Sequence, residues 1–344
     1  MSEQQQQLNN GKKEILFYYE SRQNPNGDPG FENQPRLMPD RTIIVTDVRI
    51  KRTMRDHAKR VFGQTLFVDF GNDGNPIMAD KRAKEILSLD SQKKIEGDII
   101  EGLLKSTFDV PLFGALVTIR STSKKNESGD SQNESGDSQK LTGALQFGIS
   151  RSVNQVHVIN PMISSHFVGE ENVKQEKQHA TLGRFYSVEY ALIKVHGALN
   201  PQNLGNYLSD PEIKQKFDYC NTRIFECLWN GTNELVTRSK FPQRSILYIE
   251  ITYKNTIYND LPNLVEEREE LKKRASILGE SPFNFEKLLS SIQERKKEIE
   301  KIRIKGCREI SNDTTQLVSQ IRKINELKDK VEEIDKVEET VNTV

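Results

Sequence analysis

The start of the chain passes from an apolar run through a polar run to an amphipathic run. Residues 14–20 are rich in aromatic and branched side chains, which predicts a buried first strand. The Asn-Pro-Asn-Gly-Asp-Pro run at residues 24–29 predicts a turn. Thr46 is a favourable N-cap, so we expect a helix to begin there. Its apolar side would consist of Ile50, Met54, Ala58 and Val61, with Arg52, Arg55 and Lys59 opposite.

The middle of the chain predicts a long hairpin and a helix between two strands. Residues 156–163 alternate apolar and polar positions, and residues 182–188 return as a second arm beyond a polar tip. Strands are predicted at residues 188–197 and 245–253, with a helix at about residues 210–229 between them. Gly231 is the expected left-handed cap of that helix.

The last third of the chain is highly charged and predicts helices. These cover residues 264–278 and 285–301, and a short strand follows at residues 302–304. From residue 311 onwards, apolar residues at 3–4 spacing predict one amphipathic helix or a short coiled coil. The residues of that apolar stripe are Val318, Ile321, Ile324, Leu327, Val331 and Ile334.

Two polar segments lack the hydrophobic residues that a folded unit needs. One is the glutamine-rich start, residues 1–12. The other contains the direct repeat Glu-Ser-Gly-Asp-Ser-Gln at residues 127–132 and 134–139, which predicts a disordered loop insertion at residues 122–140. We therefore expect a main domain at residues 13–310 that contains this loop, and a helical tail at residues 311–344.

Composition restricts the class of protein. The chain has 344 residues and a formal net charge of zero, so any binding of nucleic acid must come from a local basic surface. Residues 41–60 provide one, with seven Lys or Arg against two acids. The three cysteines form no CxxC pair, which indicates a reducing compartment. With neither a signal-peptide pattern nor an apolar run of about 20 residues, we expect a soluble cytoplasmic protein without a membrane partner.

The sequence offers little for catalysis. The five histidines have no HxxxH or HExxH spacing, and there is no GxSxG, P-loop or zinc pattern. His57 falls on the apolar side of the predicted basic helix, so we expect it to be packed. We predict no catalytic residue, no metal site and no cofactor.

Three groups of motifs carry a family resemblance. The first group is "NPNGDP" with Pro35-Arg36 and "TDVRIKRTMRD". The second is Phe113-Gly114-Ala115 with a "TGxxQF" strand that leads to Arg151-Ser152. The third is "LWNGTN…RSK" at residues 228–240. Together they resemble the RNA-binding backbone subunits of CRISPR type I Cascade complexes, in the RAMP superfamily. Subtype I-B is most similar and I-C next. The resemblance runs from about residue 14 to residue 305.

The resemblance implies an α+β fold with a ferredoxin-like, RRM-like palm. Large insertions form a finger region and a thumb-like hairpin at residues 155–187, and the helical extension follows. It also implies a non-catalytic prokaryotic protein of antiviral defence that polymerises along CRISPR RNA and presents the guide for pairing with invading DNA. The implied partners are CRISPR RNA, the target DNA strand, copies of the same chain and other Cascade subunits.

Site residues follow from the charge pattern and the resemblance together. Arg36, Arg49, Lys51, Arg52 and Arg55 are expected to contact phosphates, and Asn24 and Asn26 to shape the turn. Five further RNA-binding candidates are Gln146, Arg151, Arg184, Arg238 and Lys240. By position in the family, Met162, Ile163 and Phe167 would wedge bases apart at the thumb, and simple core packing is the alternative.

Two other functions remain open from the sequence. Distant relatives in other CRISPR types cleave RNA with a loop aspartate, so a metal-dependent RNA-cleaving relative is possible with Asp28 or Asp47 as ligand. The second of these functions is that of a helical scaffold protein, which acts through its charged carboxy-terminal half. Truncation at Asn312 would separate that role from RNA binding.

Overall fold

A computed structural model describes residues 11–71, 74–90, 97–119, 137–160, 162–165, 181–269 and 282–334. These residues mix helix and sheet, as an α+β protein does. The strands are β1 (Lys12–Ser21), β2 (Gly27–Asp28), β3 (Gln34–Pro35), β4 (Ile44–Val45), β5 (Gly114–Ile119), β6 (Asp137–Thr142), β7 (Leu145–Phe147), β8 (Ser150–Ser152), β9 (Val158–Ile159), β10 (Met162–Ser165), β11 (Thr181–Arg184), β12 (Ser187–Val188), β13 (Ala191–Leu199), β14 (Gln243–Tyr253), β15 (Glu266–Glu267), β16 (Phe283–Asn284), β17 (Ile299–Gly306) and β18 (Val331–Glu333). The helices are α1 (Asp47–Phe62), α2 (Ala79–Ile86), α3 (Ile99–Ser106), α4 (Asp109–Phe113), α5 (Pro211–Thr222), α6 (Ile224–Asn233), α7 (Leu261–Leu264), α8 (Glu286–Arg295) and α9 (Ser311–Arg322), with 3₁₀ turns at Pro29–Phe31, Pro201–Ser209 and Arg308–Ile310.

The central sheet is built around β1. Its strand order is β18-β17-β14-β1-β13-β8-β4, and β7 also pairs with β13. β1 pairs antiparallel with β13 on one side and with β14 on the other, so that Phe17 lies opposite Val195 and Tyr248. α1 lies between β1 and β8 in the chain, and α5 and α6 lie between β13 and β14. The first strand predicted from the hydrophobic pattern is therefore the centre of the sheet.

Both faces of this sheet are covered. Successive side chains of a strand point to opposite faces, and β1 is apolar at both sets of positions. Ile15, Phe17 and Tyr19 belong to a core that includes residues of α1 and α6. Leu16 and Tyr18 belong to a second core that includes residues of α8 and α9. Because helices pack on both faces of β1 in the described part of the chain, we expect ligands to bind at the ends of strands or on the connections.

The helix that carries most predicted site residues forms where the sequence predicts it. The Thr46 hydroxyl accepts a hydrogen bond from the Arg49 backbone N–H, and Gly63 ends the helix at φ 61°. Val61, expected on the apolar side, is instead 53% exposed. His57 is buried, as expected, and lies 3.1 Å from a Glu234 carboxylate oxygen through Nδ1. Burial lowers the pKa of His57, and the negative charge of Glu234, which acts in the opposite direction, does not outweigh it.

The helix predicted at residues 210–229 is two helices, α5 and α6, that meet at Arg223. Gly231 is not its left-handed cap, because α6 continues to Asn233. A Cβ at Gly231 would lie 3.1 Å from Cβ of His57 and 3.3 Å from the carbonyl oxygen of Thr53. The glycine thus serves the close packing of α6 on α1 rather than a turn.

The polar segments and the hairpin agree only partly with expectation. β1 begins at Lys12, and residues 1–10 lie outside the described part. The predicted 122–140 loop ends early, because residues 137–140 belong to β6 and pair with β5. The arms of the predicted hairpin pair antiparallel as β9 with β12 and β10 with β11. Its tip, residues 166–180, lies outside the described residues.

The tail is not the single helix predicted from its 3–4 spacing. α9 ends at Arg322, and β18 then pairs in parallel with β17 at the edge of the sheet. Val318, Ile321 and Leu327 are buried in the second core. The tail is not one helix because burial and pairing with a sheet edge outweigh the helical period of its sequence. Truncation at Asn312 would remove core residues and is not a clean test of a separate scaffold. Among the helices described, none has the length and apolar character to span a membrane.

Candidate nucleic-acid interface

Four predicted site residues from three distant parts of the chain line one cleft of about 490 Å³. Asn24 and Asn26 come from the turn after β1, Arg49 from the first turn of α1, and Lys240 from the segment before β14. The remaining lining residues are Gly27, Glu32, Asn33, Phe185, Tyr186 and Ser239. We call this the Arg49–Lys240 cleft.

Backbone contacts hold the walls of the cleft together. The Asn24 N–H donates to the Ser239 carbonyl at 3.0 Å, and Lys240 Nζ donates to the Asn24 carbonyl at 2.8 Å. The Asn24 side-chain amide donates to the Asn33 carbonyl, which closes the turn on itself. A Cβ at Gly27 would lie 2.7 Å from that same carbonyl oxygen, so this position of the turn requires glycine. The cleft is thus formed before any ligand arrives.

The cleft contains two cations, Arg49 and Lys240, and one carboxylate, Glu32, which accepts a hydrogen bond from Tyr186. Arg49 Nη2 donates to the Thr53 hydroxyl at 2.9 Å, and Lys240 Nζ donates only to neutral oxygens, of Asn24 and Ser239. Among the residues that the structure describes, neither cation forms an ion pair with a carboxylate. Burial lowers the pKa of Arg49, and burial with the nearby Arg49 charge lowers the pKa of Lys240 to about 8. An anion in the cleft would relieve both penalties.

Aromatic residues at the base of the hairpin complete the cleft, and sequence reasoning missed them. Phe185 and Tyr186 follow directly after Arg184, the residue that was singled out. The Arg238 guanidinium lies 5.7 Å from the centre of the Phe185 ring, and the Tyr186 hydroxyl donates to Glu32 at 3.2 Å. Two adjacent aromatic residues at the end of a hairpin arm were the available signal. The cleft thus offers cations and aromatic rings together.

Lys51 and Gln146 form a neighbouring pair outside the cleft lining. Lys51 Nζ donates to Gln146 Oε1 and to Asp47 Oδ2, both at 3.0 Å. Arg52, one residue further along α1, pairs with Asp56 at 2.8 Å. All three predicted residues are partly exposed, so a ligand could reach them by displacing contacts that are worth little at a surface.

The other predicted residues lie apart. Arg36 pairs with Asp28 at 3.2 Å, and Arg151 donates to Asp40 and to the Thr42 hydroxyl. The backbone of Arg184 pairs with Met162, and Ile163 pairs with Gly183. Phe167, the third residue of the expected base wedge, lies outside the described residues.

Arg55 does not belong to the basic surface. It is 7% exposed, and its Nε lies 2.8 Å from Oδ2 of Asp109, which is fully buried. The same carboxylate accepts the backbone N–H groups of Phe67 and Val68, at 2.8 and 3.0 Å. α1 packs on α6 and also lies against α4, so its buried side is wider than the apolar stripe and includes this arginine. Arg55 is committed to the core, which corrects its place among the phosphate contacts.

The two aspartates considered as metal ligands have protein partners. Asp28 accepts the Gly30 N–H at 3.0 Å and pairs with Arg36, and Asp47 pairs with Lys51. Within the described ranges, no group of three or more His, Cys, Asp or Glu residues is arranged to hold a metal ion. Both aspartates thus form contacts at the ends of local elements.

Comparison with known proteins identifies the family. The family model described as CRISPR-associated protein Cas7 matches residues 11–296. A curated CRISPR-associated protein Cas7 from Haloferax volcanii is 27% identical over 268 residues, which is 74% of this chain and 75% of the relative. Two solved chains, from a "CRISPR RNA-guided surveillance complex, pre-nicking" and a "CRISPR RNA-guided surveillance complex", align with TM-scores of 0.42 and 0.39 at 11% and 10% identity. They cover 94% and 90% of this chain and 96% and 99% of their own. Because the family model matches most of its length, the chain belongs to the CRISPR-associated protein Cas7 family.

Proposed function

We propose that this protein is a non-catalytic CRISPR RNA-binding backbone subunit of a type I Cascade surveillance complex. The observation that carries the proposal is the Arg49–Lys240 cleft, in which two half-buried cations lack an anionic partner within the described residues. The phosphodiester backbone of RNA supplies such an anion at every nucleotide. Copies of the chain would line up along one guide RNA, together with other Cascade subunits.

The chemistry of the cleft suits a protein that must accept any guide sequence. Cations and backbone groups contact phosphates without reading bases, so sequence specificity would rest on pairing between the guide and target DNA.

The sheet supports an RRM-like palm that works differently from an ordinary RNA-recognition motif. Taken in chain order as first to fourth, β1, β8, β13 and β14 have the spatial order fourth-first-third-second, which is ferredoxin-like. Ordinary modules stack bases on an open sheet face. Here helices cover both faces, so RNA would run past the turn after β1 and the base of the hairpin. The hairpin would then act as the thumb that separates bases.

Purification with a guide tests the proposal. The chain is expressed with a CRISPR array and its neighbouring gene products, purified at low salt, and the RNA that accompanies it is sequenced. We expect discrete repeat-spacer RNAs in a large particle with several copies of the chain. Recovery of a monomer without nucleic acid would contradict the proposal, since phosphate binding is strongest at low salt. Metal-dependent shortening of the bound RNA that disappears with Asp28→Ala or Asp47→Ala would instead favour the cleaving relative.

RNA binding should also depend on pH through Lys240. Its pKa of about 8 means that about half of the free protein carries the charge at pH 8, and a bound phosphate would favour the charged form. Binding therefore takes up protons near pH 8, and affinity falls about tenfold for each pH unit above it. Calorimetry in buffers of different ionisation enthalpy measures the uptake. Lys240→Met should abolish it, and equal uptake by that variant would assign the proton elsewhere.

A further inference from the structure

A second cleft, of about 600 Å³, lies beside the first one and uses the same two chain segments. The segment after β1 contributes Asn24 to the Arg49–Lys240 cleft and Arg22 to the second cleft. The base of the hairpin contributes Tyr186 to the first and Val188 to the second. In each case the two residues are two positions apart in the sequence. We call the second site the Arg22 cleft.

Two exposed arginines give this cleft its charge. The Arg22 guanidinium lies over the Tyr190 ring, 5.2 Å from its centre. Arg41 is held in a turn at φ 64°, where its N–H donates to Met38 at 2.9 Å and its carbonyl accepts from Val156 at 2.8 Å. In the described part of the chain, neither arginine forms an ion pair. Both are positioned by other contacts and remain open to a ligand.

The rest of the lining combines polar residues with three apolar ones, Val156, Ile159 and Val188. The buried Asn154 amide donates to the carbonyls of Gln155 and Tyr190 and accepts the Leu192 N–H, which fastens the wall to β13. Gln155 is exposed at the rim. Glu189 is the carboxylate of this lining, and it lies 3.7 Å from His157 Nδ1, with both side chains more than half exposed.

This combination fits single-stranded nucleic acid. An arginine stacked on a tyrosine offers a flat cationic surface for a base and N–H groups for a phosphate. The exposed amide of Gln155 and the imidazole of His157 add hydrogen-bonding groups that tolerate different bases. An acidic peptide would match the arginines but would leave the stacked pair unused.

We propose that the Arg22 cleft binds the next nucleotides of the RNA strand that occupies the Arg49–Lys240 cleft. Only two sequence positions separate the residues that each shared segment contributes to the two clefts, so one strand could pass from one to the other. The inference rests on the proposed function, because it assumes that RNA occupies the first cleft. The two clefts would form one basic track around the base of the hairpin.

Oligouridylates of increasing length test this track with the full-length protein. We compare the wild type with Arg22→Gln/Arg41→Gln, and use Arg60→Gln/Arg308→Gln as the control, since these arginines are also exposed but line neither cleft. The shortest RNAs that bind should bind all three proteins equally. Longer RNAs should gain about tenfold in affinity with the wild type and the control but not with the Arg22/Arg41 variant. The slope of log affinity against log salt should fall by about 1.4 for two lost phosphate contacts.

Other outcomes separate this inference from the proposed function. If the Arg22/Arg41 variant bound RNA of every length with the same affinity as the wild type, the track would be overturned, while loss of binding in an Arg49/Lys240 variant would still support the first cleft. A variant that holds RNA normally but fails to bind a complementary DNA strand would assign the Arg22 cleft to that strand and overturn the proposal. Absence of RNA binding by the wild type would overturn both.

Discussion

Replacing Arg55 with methionine is expected to lower the free energy of unfolding by about 3–5 kcal/mol, because it leaves a buried carboxylate without its cation. Asp109 is fully buried, and its remaining donors are the two backbone N–H groups of Phe67 and Val68. Methionine keeps much of the volume of the arginine stem but supplies no charge. Urea denaturation at pH 7, followed by circular dichroism, measures the loss.

Arg52→Met is the matched control for this effect. Arg52 is on the same helix and pairs with Asp56, but both partners are partly exposed, and such i,i+4 pairs are worth about 0.3–0.5 kcal/mol. The double variant Arg55→Met/Asp109→Asn should recover part of the loss, because it removes the stranded charge. A change below about 1 kcal/mol for Arg55→Met would show that the pair does not hold α1 in place. Charge reversal at Arg55 would unfold the protein and is unsuitable as a test of RNA binding.

The double variant Arg49→Gln/Lys240→Gln is expected to lose at least about 100-fold in affinity for single-stranded RNA. Hydrogen bonds to charged groups contribute about 1.5–3 kcal/mol each, and two of them would be lost here. Stability should fall by less than about 1 kcal/mol, because burial already disfavours both charges in the free protein. Filter binding at fixed ionic strength measures the affinity, and thermal melting measures the stability.

The combination of lost binding and kept stability distinguishes a binding site from a structural one. Lys214→Gln/Arg60→Gln removes two exposed cations from α5 and the end of α1 and should leave RNA binding unchanged. The salt dependence of the Arg49/Lys240 variant should weaken by about 1.4 in slope. If that variant bound RNA as the wild type does, the Arg49–Lys240 cleft would not be the phosphate site. The proposed function would then lose its main support.

Local sequence patterns predicted the elements that depend on local physics. The first strand and α1 lie where hydrophobic pattern and capping place them, because a buried strand and a capped amphipathic helix each have a strong local signal. Residues 331–333 were placed in a helix, since pairing with β17 is a tertiary contact with no local signal. Gly231 was misjudged for a similar reason, because the close approach of α1 is not visible within α6.

The candidate site shows the same difference between features with a local sequence signal and features that depend on tertiary contacts. Asn24 and Lys240 are in contact across 216 positions of sequence, and only the family resemblance, not the charge pattern, selected both. The helical period of α1 placed Arg55 on its polar side. The ion pair with Asp109 of another helix is a tertiary contact, which that period cannot reveal. Arg22 was missed because a single basic residue after a strand carries no pattern of its own. Phe185 was missed although it is next to Tyr186, because its place in the cleft depends on tertiary contacts. Spatial convergence is what identifies them.

The position of β1 at the centre of the sheet also determines when this protein can fold. Its two neighbours, β13 and β14, begin at residues 191 and 243, whereas β1 ends at residue 21. At about 5–20 residues per second, the ribosome needs about 10–40 s to make the chain between β1 and β14. β13 is made first, and the sheet on both sides of β1 can be complete only when β14 has also been made. We therefore expect the central sheet to form late and slowly, as in a fold dominated by distant contacts.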